Sequence, residues 1–393
     1  MSEKIWTLAE VCFPPQYGAI ATTKDTPEGP KFIRQTDIKA GRIEWDSVPY
    51  CDLQDSEINK YRVQHGDILV SRLGSIGQAA IVRGDHSAVF AGYLVRFKVN
   101  PDLAHPSFIA YHLQTKQWFD HVRNFGSGAV QPTLNANQMG EYKFRLPTYE
   151  RQVQIASALE SFDEKIESNY KQIRTIEELG HALTAQALGV ALHESPIFNG
   201  VLGDILEILE TGKRPNGGAT ASGRVSIGAE SIQSAGILKG RKFKYVPENF
   251  AQQMKRGVLE PGDVLLYKDG GTPGNFIPHV SAFGRGFPTQ EAVINEHVYR
   301  VRVLEPLTQG ILYWILGSAW MIEEMKIRGT GAAIPGLNSS NVKELPIPNL
   351  QTKQILELSP LLDSMLDLML QLGAETLNLE ASRDFMLAKF LNT

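Results

Sequence analysis

Two long stretches of the chain place apolar residues at alternating spacings of four and three. In the first stretch these positions are Ile155, Leu159, Phe162, Ile166, Asn169, Ile173, Ile176, Gly180, Leu183 and Ala187. In the second stretch they are Ile355, Leu358, Leu362, Met365, Met369, Leu372, Thr376, Leu379, Arg383, Met386 and Phe390. This alternation is a heptad repeat, which is typical of helices that pack side by side. Because the first helix leaves one globular segment and the second returns from another, we expect an antiparallel coiled coil.

Polar residues and a glycine interrupt both seams, at Asn169, Gly180, Thr376 and Arg383. A polar residue inside a coiled coil can fix the register of the two helices. A frayed helix, or a surface that contacts a partner, would show the same interruptions. The pattern alone leaves these three interpretations open.

The segments that precede the two helices read as short strands separated by Gly, Asp and Asn turns. In the first segment the predicted strands lie within 31–38, 41–43, 66–72, 79–82 and 93–99. In the second segment they follow in the same order, within 225–232, 236–238, 263–267 and 297–303. A helix comes next in each segment, at 108–113 and 311–316, shortly after a proline, which is tolerated near a helix start. Each segment is therefore predicted to be a mixed α/β (α+β) domain with a strand-rich core.

The two segments also share short motifs, which indicates a duplication. The sequence Gly-Asp-Ile-Leu at 66–69 recurs 196 residues later as Gly-Asp-Val-Leu, and the glycine-rich loop at 126–135 recurs 203 residues later. A repeat of this length is a duplicated domain, since solenoid repeats have periods of roughly 20 to 50 residues. We therefore predict four parts: a globular domain at 1–150, a helix at 151–196, a second globular domain at 197–350 and a second helix at 351–393.

Composition narrows the class of protein. The chain has 393 residues, of which 42% are hydrophobic and 21% charged, enough for two or three domain cores. Its longest nearly apolar run, 311–322, is shorter than the roughly 20 residues that a membrane span needs, and no signal peptide pattern opens the sequence. Cys12 and Cys51 are the only cysteines, so neither a disulfide framework nor a zinc site is indicated. We expect a cytoplasmic protein that is not associated with a membrane.

The net charge of −4 at first argues against nucleic-acid binding. The charge is unevenly distributed, however. Residues 1–150 carry 16 basic and 16 acidic side chains, residues 197–350 carry 16 and 14, and each helical stretch has a net charge of −3. The globular domains are therefore neutral or slightly basic, which is compatible with DNA binding. Solvated helices rich in glutamate explain the acidic surplus equally well.

The order of these features resembles the specificity subunit of type I restriction-modification systems over essentially the whole chain. The resemblance is carried by 32–38, by 66–77, and by the loop at 126–135 that continues through Leu146-Pro147 to 150–152 and a long helix. Each motif alone is moderately specific, but their duplication in the same order with two helical segments is strong. One stretch differs between the halves: Arg72-Leu-Gly-Ser-Ile-Gly77 becomes Lys268-Asp-Gly-Gly-Thr-Pro-Gly274. Base recognition is therefore expected to differ between the two domains.

The resemblance implies two target-recognition domains held apart by the coiled coil, each reading one half of a split, asymmetric site in double-stranded DNA. Thirty-odd helical residues at 1.5 Å each form a rod of roughly 50 Å, which suits domains about one to two turns of B-DNA apart. The resemblance further implies that the coiled coil binds methyltransferase subunits, two in number, and that restriction subunits join them. S-adenosylmethionine, ATP and Mg²⁺ would be bound by these partners. For this chain we expect no catalytic residue, cofactor or metal.

Base recognition requires side chains that present paired donors or acceptors, as Arg does to guanine and Asn or Gln does to adenine. For the first domain we predict DNA contacts from Arg34, Gln35, Arg72, Ser75, Gln78 and Tyr93. For the second domain we predict them from Lys213, Arg214, Lys268, Thr272, Asn275, Asn295 and His297. A structural or solvated role is the commoner one for any single residue of this kind. The stretch 241–245 suits a backbone contact or a guarded edge strand, and the glycine pairs 126/128 and 329/331 predict tight turns.

Other classes of function remain open. Asp102 with Glu141 and Lys143 satisfies a loose nuclease pattern for metal-assisted hydrolysis, but its spacing is long and the second half does not repeat it. The stretch 13–17 lacks the amide or carboxylate of an adenine methyltransferase loop, and 270–274 lacks the Lys-Ser/Thr ending of a phosphate loop. A coiled-coil interaction protein would explain the helices but not two diverged domains. The residues also do not distinguish a type I system from a related type IIB-like system.

Overall fold

The computed structural model describes residues 4–39, 41–126, 133–238, 243–272, 274–329 and 335–391. Contacts divide the chain into two compact units. Unit 1 comprises Met1–Asp163 and Ala381–Thr393, and unit 2 comprises Glu164–Glu380. None of the helices in the described ranges combines the length and apolarity needed to cross a lipid bilayer.

Unit 1 is built from short strands followed by helices. Its strands are β1 Ile5–Thr7, β2 Gln16–Tyr17, β3 Thr23–Lys24, β4 Lys31–Ile33, β5 Ile38–Lys39, β6 Arg42–Ile43, β7 Tyr50–Cys51, β8 Ile68–Ser71, β9 Ala79–Ile81, β10 Ala88–Phe90, β11 Leu94–Phe97 and β12 Lys143–Arg145. Its helices are α1 Asp55–Tyr61, α2 Pro106–His112, α3 Lys116–Gly126 and α4 Ala136–Gly140, and α5 Tyr149–Leu188 begins in it.

Two four-stranded sheets form the centre of unit 1. One has the order β10-β4-β7-β3, with β10 parallel to β4, and the other has the antiparallel order β2-β11-β8-β9. Strand β8 is buried on both faces, because Ile68 joins a cluster around Phe108 and Trp118 while Leu69 joins a separate cluster around Phe90. A strand buried on both faces reads as a continuous apolar run, which is the pattern found at 68–70.

Unit 2 repeats this order of elements. Its strands are β13 Gly200–Val201, β14 Leu206–Thr211, β15 Arg224–Ile227, β16 Lys244–Val246, β17 Val264–Tyr267, β18 Gly271–Thr272, β19 Asn275–Phe276, β20 Val280–Ala282, β21 Ala292–Ile294, β22 Val298–Val303 and β23 Pro346–Ile347. Its helices are α6 Glu248–Gln253, α7 Gln309–Leu316, α8 Ala319–Arg328 and α9 Ser339–Lys343, and most of α10 Lys353–Leu391 lies in it.

The main strands of the two units correspond, although the sheet β16-β15-β21 of unit 2 has three strands where β10-β4-β7-β3 of unit 1 has four. The order β14-β22-β17-β20 in unit 2 matches β2-β11-β8-β9 in unit 1, and β15 runs parallel to β21 as β4 does to β10. The pair β13–β23 likewise matches β1–β12. The duplication predicted from short motifs is therefore a duplication of the fold.

Several predicted elements have different bounds in the structure. The strand expected at 31–38 ends at Ile33, because the Asp37 carboxylate accepts the Arg34 backbone N–H (2.8 Å) and closes a 3-10 turn. The strand expected at 225–232 also ends early and continues into a 3-10 turn. Residues 236–238 form no strand; Gly236, with a φ of +77°, instead lies against the Met369 carbonyl. The helices expected after the prolines are present as α2 and α7, whereas α3 and α8 had not been predicted.

The two long helices predicted from the heptad repeat are present. Helix α5 has 40 residues and α10 has 39, so each is roughly 60 Å long at 1.5 Å per residue. Within unit 2 they run antiparallel, since Asn169 contacts Thr376 while Gly180 and Leu362 both contact Trp314. None of the predicted seam residues is exposed.

The polar interruptions of the seam have partners within their own unit. In unit 2 the buried Asn169 amide donates to Glu375 (2.8 Å) and to the Thr376 hydroxyl (3.2 Å). At Gly180 the Trp314 ring would lie 2.6 Å from a Cβ atom, so a larger residue does not fit. In unit 1 Arg383 forms an ion pair with Asp163 (2.9 Å). These residues therefore meet specific partners rather than marking frayed turns.

Three predicted features lie wholly or partly outside the described residues. They are the glycine-rich loop that includes Gly128, its counterpart that includes Gly331, and the start of the basic stretch at Arg241 and Lys242. The structure does not test the predictions for these stretches, and they remain predictions.

Candidate nucleic-acid interface

The repeated Gly-Asp motif has a structural role that is the same in both units. Gly66 and Gly262 adopt φ angles of +88° and +90° directly before β8 and β17, a conformation that favours glycine. The buried aspartates that follow each accept a backbone N–H three residues earlier, Asp67 from Gln64 (2.9 Å) and Asp263 from Glu260 (2.7 Å). The motif therefore builds the turn that leads into the central strand.

Each of these aspartates also forms a buried ion pair with the neighbouring strand. Arg96 on β11 contacts Asp67 at 3.1 Å, and Arg300 at the matching position of β22 contacts Asp263 at 2.7 Å. Asp263 has a second partner in Arg302 at 2.5 Å. A buried carboxylate needs such a partner because an unpaired charge is costly in the protein interior.

The second repeated motif anchors a loop to the end of the same strand. The N–H of Leu134 donates to the Arg72 carbonyl (3.0 Å), and the N–H of Leu337 donates to the Lys268 carbonyl (2.7 Å). Asn135 and Asn338 then cap α4 and α9 through their side chains, as Asn residues commonly do. The Leu-Asn pair thus holds the short helix against the strand end.

One more backbone bond completes this arrangement. The N–H of Arg72 donates to the Tyr93 carbonyl, and that of Lys268 donates to the His297 carbonyl, both at 3.0 Å. We call this arrangement the shared frame. It consists of Arg72, Tyr93 and Leu134 in unit 1 and of Lys268, His297 and Leu337 in unit 2. Its backbone bonds are the same in both units, whereas the side chains at its first two positions differ.

In unit 1 the frame presents an arginine on an aromatic ring. The guanidinium carbon of Arg72 lies 5.0 Å from the centre of the Tyr17 ring, within cation–π distance. The Tyr17 hydroxyl accepts the N–H of Ala136 at 3.0 Å, which holds the ring in place. Tyr93 is 56% exposed beside it. No carboxylate in the described part of the chain forms an ion pair with Arg72.

The other predicted residues of unit 1 divide into two groups. Gln35 lies against Gly74 in the turn that follows Arg72, and its buried Oε1 has no hydrogen-bond partner among the described residues. Ser75 is exposed in the same turn, where its carbonyl accepts the Gln78 N–H (3.1 Å). Arg34 instead binds the buried Asp37 (2.8 Å). The structure therefore brings Gln35, Ser75 and Gln78 together with Arg72 and Tyr93, and places Arg34 on an internal carboxylate.

In unit 2 the frame carries a network of opposite charges. Lys268 Nζ contacts Asp269 at 2.8 Å, and His297 Nδ1 contacts the same carboxylate at 2.5 Å. His297 Nε2 lies 3.4 Å from Glu296, which Arg214 Nε contacts at 3.2 Å. Lys268 and Arg214 are thus held by carboxylates, unlike Arg72 in unit 1.

Carboxylates also affect the tyrosine at the end of β17. Burial, together with the nearby Asp269 and Glu230, raises the pKa of the Tyr267 hydroxyl. The group therefore remains protonated and can donate a hydrogen bond at neutral pH. This surface offers donors as well as carboxylate acceptors, and a cytosine or adenine amine donates to an acceptor of that kind.

The remaining predicted residues of unit 2 lie in different surroundings. Thr272 and Asn275 are exposed and face each other across the β18–β19 hairpin, and Lys213 is exposed without an ion pair in the described ranges. Asn295 is only 5% exposed: its side chain accepts the His297 N–H (2.9 Å) inside a turn. Asn295 is therefore part of the turn that carries His297.

Three residues of these surfaces were not predicted from the sequence. Tyr17 is far from Arg72 along the chain and reaches it only because β2 pairs with β11, so no local signal marks it. Asp269 directly follows Lys268, and Glu296 directly precedes His297. Those two acidic neighbours can be read in the sequence and would have indicated carboxylate partners for Lys268 and His297.

The loose nuclease pattern is spread over separate elements of unit 1. Asp102 is exposed after β11, Glu141 directly follows α4, and Lys143 starts β12. Across the described ranges, no three His, Cys, Asp or Glu residues are arranged so that they could hold a metal ion.

Comparisons with known proteins agree with this arrangement. Residues 24–178 match the family model of the type I restriction modification DNA specificity domain. A Methanocaldococcus jannaschii protein described as the MjaX type I restriction enzyme specificity subunit is 28% identical over 196 residues, which cover 47% of this chain and 46% of the relative. The EcoBI type I restriction enzyme specificity subunit of Escherichia coli is 25% identical over 176 residues, 44% of this chain and 37% of the relative. The chain thus spans less than half the length of the curated relatives it matches.

A solved structure extends the likeness to the second unit. The crystal structure of the type I restriction-modification system S subunit from M. genitalium matches 99% of this chain and 96% of that chain, with a TM-score of 0.56 and 17% identity. At this identity the likeness concerns the fold. The fold of this chain is that of the S subunit over essentially its whole length.

Proposed function

We propose that the chain is a specificity subunit of a type I restriction-modification system and recognises a DNA sequence on behalf of partner subunits, because residues 24–178 match the specificity-domain family and the fold resembles that of an S subunit. Each unit would read one half of a split site in double-stranded DNA. The chain itself would carry no catalytic residue, and the chemistry would belong to the partners. This proposal agrees with the expectation from the sequence.

The shared frame is the observation that carries this proposal. The same backbone bonds hold Arg72 beside Tyr93 in unit 1 and Lys268 beside His297 in unit 2. In DNA recognition, a constant scaffold sets position while the side chains at the groove edge select the base. One frame with two different side-chain sets is therefore suited to two different half-sites.

The two surfaces differ in the chemistry they offer to bases. Unit 1 presents an arginine without a carboxylate partner, whereas unit 2 presents Lys268 and His297 bound to Asp269. Arginine is the usual partner of guanine, and carboxylates accept from the cytosine amine. We therefore propose that the recognised site is asymmetric.

The helix pair supplies the surface proposed for the methyltransferase subunits. On α10 within unit 2, Leu361 and Leu368 are 49% and 44% exposed at a spacing of seven residues, and Leu179 on α5 is 51% exposed. Apolar residues at heptad spacing on an outer helix face suit a helical protein partner. Restriction subunits would join through that complex, and S-adenosylmethionine, ATP and Mg²⁺ would be bound by the partners.

Methylome sequencing tests this proposal directly. Cells that express the chain together with the methyltransferase encoded beside it should show methylated adenine at one split, asymmetric motif, and cells without the chain should not. Replacing both Lys268 and His297 with alanine should change one half of the motif and leave the other intact. An active methyltransferase whose methylation pattern does not depend on the chain would contradict the proposal.

A further inference from the structure

We infer that Tyr17 is a positioning residue that presents Arg72 to a guanine in the half-site read by unit 1. The inference rests on the proposed function. It adds the base that Arg72 recognises, guanine, and the residue that positions Arg72, Tyr17. It depends on four properties of this surface: a fixed backbone, an aromatic support, an unpaired charge and an accessible position.

The backbone of Arg72 is held on both sides. Its N–H donates to the Tyr93 carbonyl and its carbonyl accepts the Leu134 N–H, both at 3.0 Å. Ser71 pairs with Leu94 in the β8–β11 ladder, so Arg72 and Tyr93 are cross-strand neighbours one step further along. The Cα atom of Arg72 therefore has little freedom to move when a ligand approaches.

Tyr17 then restrains the side chain. Tyr17 pairs with Val95 on the other edge of β11, and its ring reaches back to within 5.0 Å of the Arg72 guanidinium carbon. The Ala136 N–H holds the Tyr17 hydroxyl at 3.0 Å, so the ring is fixed at both ends. Stacking on an aromatic face restrains the plane of a guanidinium group, and a restrained plane loses less freedom when it binds a base.

Among the described residues the charge of Arg72 has an aromatic contact but no carboxylate partner. Its Nε is buried without a hydrogen-bond partner, and no carboxylate pairs with its guanidinium group. Lys268, which has the same place in unit 2, is bound to Asp269 at 2.8 Å. Two parallel N–H donors in a fixed fork match the O6 and N7 acceptors of guanine, whereas adenine offers one acceptor and one donor. Among the four bases, guanine is therefore the one that this group fits.

The surface around Arg72 is open to a large ligand. Tyr93, directly before β11, is 56% exposed, and Tyr17, on the neighbouring strand β2, is 41% exposed. Exposed aromatic groups beside an unpaired arginine suit contact with bases and the nucleic-acid backbone. This is the arrangement expected of a surface that meets duplex DNA.

The test is methylation of a DNA library by the complex of the chain with its methyltransferase. The library carries the motif with each position of both half-sites randomised in turn. Arg72→Lys and Arg72→Ala should each lower the preference for guanine at one position of one half-site, roughly tenfold to a hundredfold. Tyr17→Leu should lower the preference at the same position, whereas Tyr17→Phe, which keeps the ring, should retain most of it.

Two controls separate positioning from folding. The half-site read by unit 2 is an internal control, because its base preferences should be unchanged in every variant. Arg123→Lys changes an exposed arginine on α3 that pairs with Asp120, and it should leave the whole motif unchanged.

Specific results would overturn the inference. A Tyr17→Leu complex that keeps the wild-type guanine preference would overturn it. So would a Tyr17→Leu complex that methylates all sequences more slowly to the same extent, or Arg72 variants that change the preference at a position occupied by another base. Absence of methylation by the wild-type complex at any site would instead contradict the proposed function, so the two failures are distinguishable.

Discussion

At the scale of single residues, buried charges decide how firmly each recognition surface is held. Asp67 and Asp263 are 3% and 0% exposed, and each joins a turn to the neighbouring strand that begins beside the shared frame. Removing one member of a buried ion pair usually costs about 3–5 kcal/mol, because the other charge is left unpaired. In each unit one cation remains beside the aspartate when the first is removed, but the remaining cation is much closer in unit 2.

We expect Arg96→Met to destabilise unit 1 more than Arg300→Met destabilises unit 2. The first change leaves Asp67 with Lys98, whose Nζ is 3.9 Å away, and should cost about 3–5 kcal/mol. The second leaves Arg302 at 2.5 Å from Asp263, so the loss should be smaller. Hydrogen exchange of β8 and β17, followed by mass spectrometry, measures each unit separately. Equal losses in both variants would show that the second arginine does not compensate.

His112 should make the stability of unit 1 depend on pH. Burial among Phe108 and Phe144 lowers the pKa of its imidazole to about 3, against 6.5 in the unfolded chain. The folded state therefore binds fewer protons, so this stability is present above pH 6.5 and decreases as the pH falls towards 3. Between pH 7 and pH 5 the loss should be about 2 kcal/mol.

The measurement for His112 is thermal unfolding at several pH values. His112→Phe keeps an aromatic ring in the cluster and removes the titrating group, so the unfolding of unit 1 should depend less on pH. His181 in unit 2 also has its pKa lowered by burial, to about 4, and its contribution should remain in the variant. An unchanged pH dependence of unit 1 would argue against the buried, neutral imidazole.

At the scale of elements, the helix pair combines apolar layers with polar contacts. In unit 2 the fully buried Ile166 and Ile173 alternate with Asn169, whose amide bonds to Glu375 and Thr376 on α10. Apolar layers supply most of the free energy of packing but allow the helices to slide, whereas a polar contact has a partner at only one register. Within this unit Asn169 and Thr376 mark the register that the structure adopts.

Ile166→Asp should destabilise the helix pair and, on the proposed function, weaken its binding to the methyltransferase. Ile166 is 0% exposed, and an unpaired carboxylate at such a position costs several kcal/mol. Ser168→Asp places the same charge two residues away at an exposed position and should be nearly neutral. Thermal unfolding and co-purification with the methyltransferase check both variants; unchanged co-purification of Ile166→Asp would contradict the prediction.

At the scale of the whole molecule, duplication has kept the scaffold and changed the surface. The Gly-Asp turn, the buried arginine and the Leu-Asn anchor are the same in both units. The frame carries Arg72 and Tyr93 in one unit and Lys268 and His297 in the other. A protein of this kind can read two different half-sites with one fold, because base contacts and scaffold contacts involve different residues.

The purified chain should neither methylate nor cleave DNA in the absence of its partners. Asp102, Glu141 and Lys143, the residues of the loose nuclease pattern, lie on separate elements of unit 1. Incubation with DNA and Mg²⁺ or Mn²⁺, and separately with S-adenosylmethionine, measures both activities. Metal-dependent cleavage that Glu141→Ala abolishes would restore the nuclease interpretation.

The sequence by itself determined the duplication, the two long helices and the order of the main strands. These features depend on local periodicity and on short motifs, which can be read without knowing what lies across a sheet. The strand ends were less accurate, since the turn that Asp37 closes depends on a side-chain contact.

Only the tertiary structure decided which polar residues lie around the shared frame and which support the fold. Arg34 and Asn295 have the residue types that bind bases, yet Arg34 binds the buried Asp37 and Asn295 lies within a turn. Tyr17 reaches Arg72 because two strands, β2 and β8, pair with opposite edges of β11. Side-chain pairing across a sheet depends on strand order and register, which local sequence does not specify.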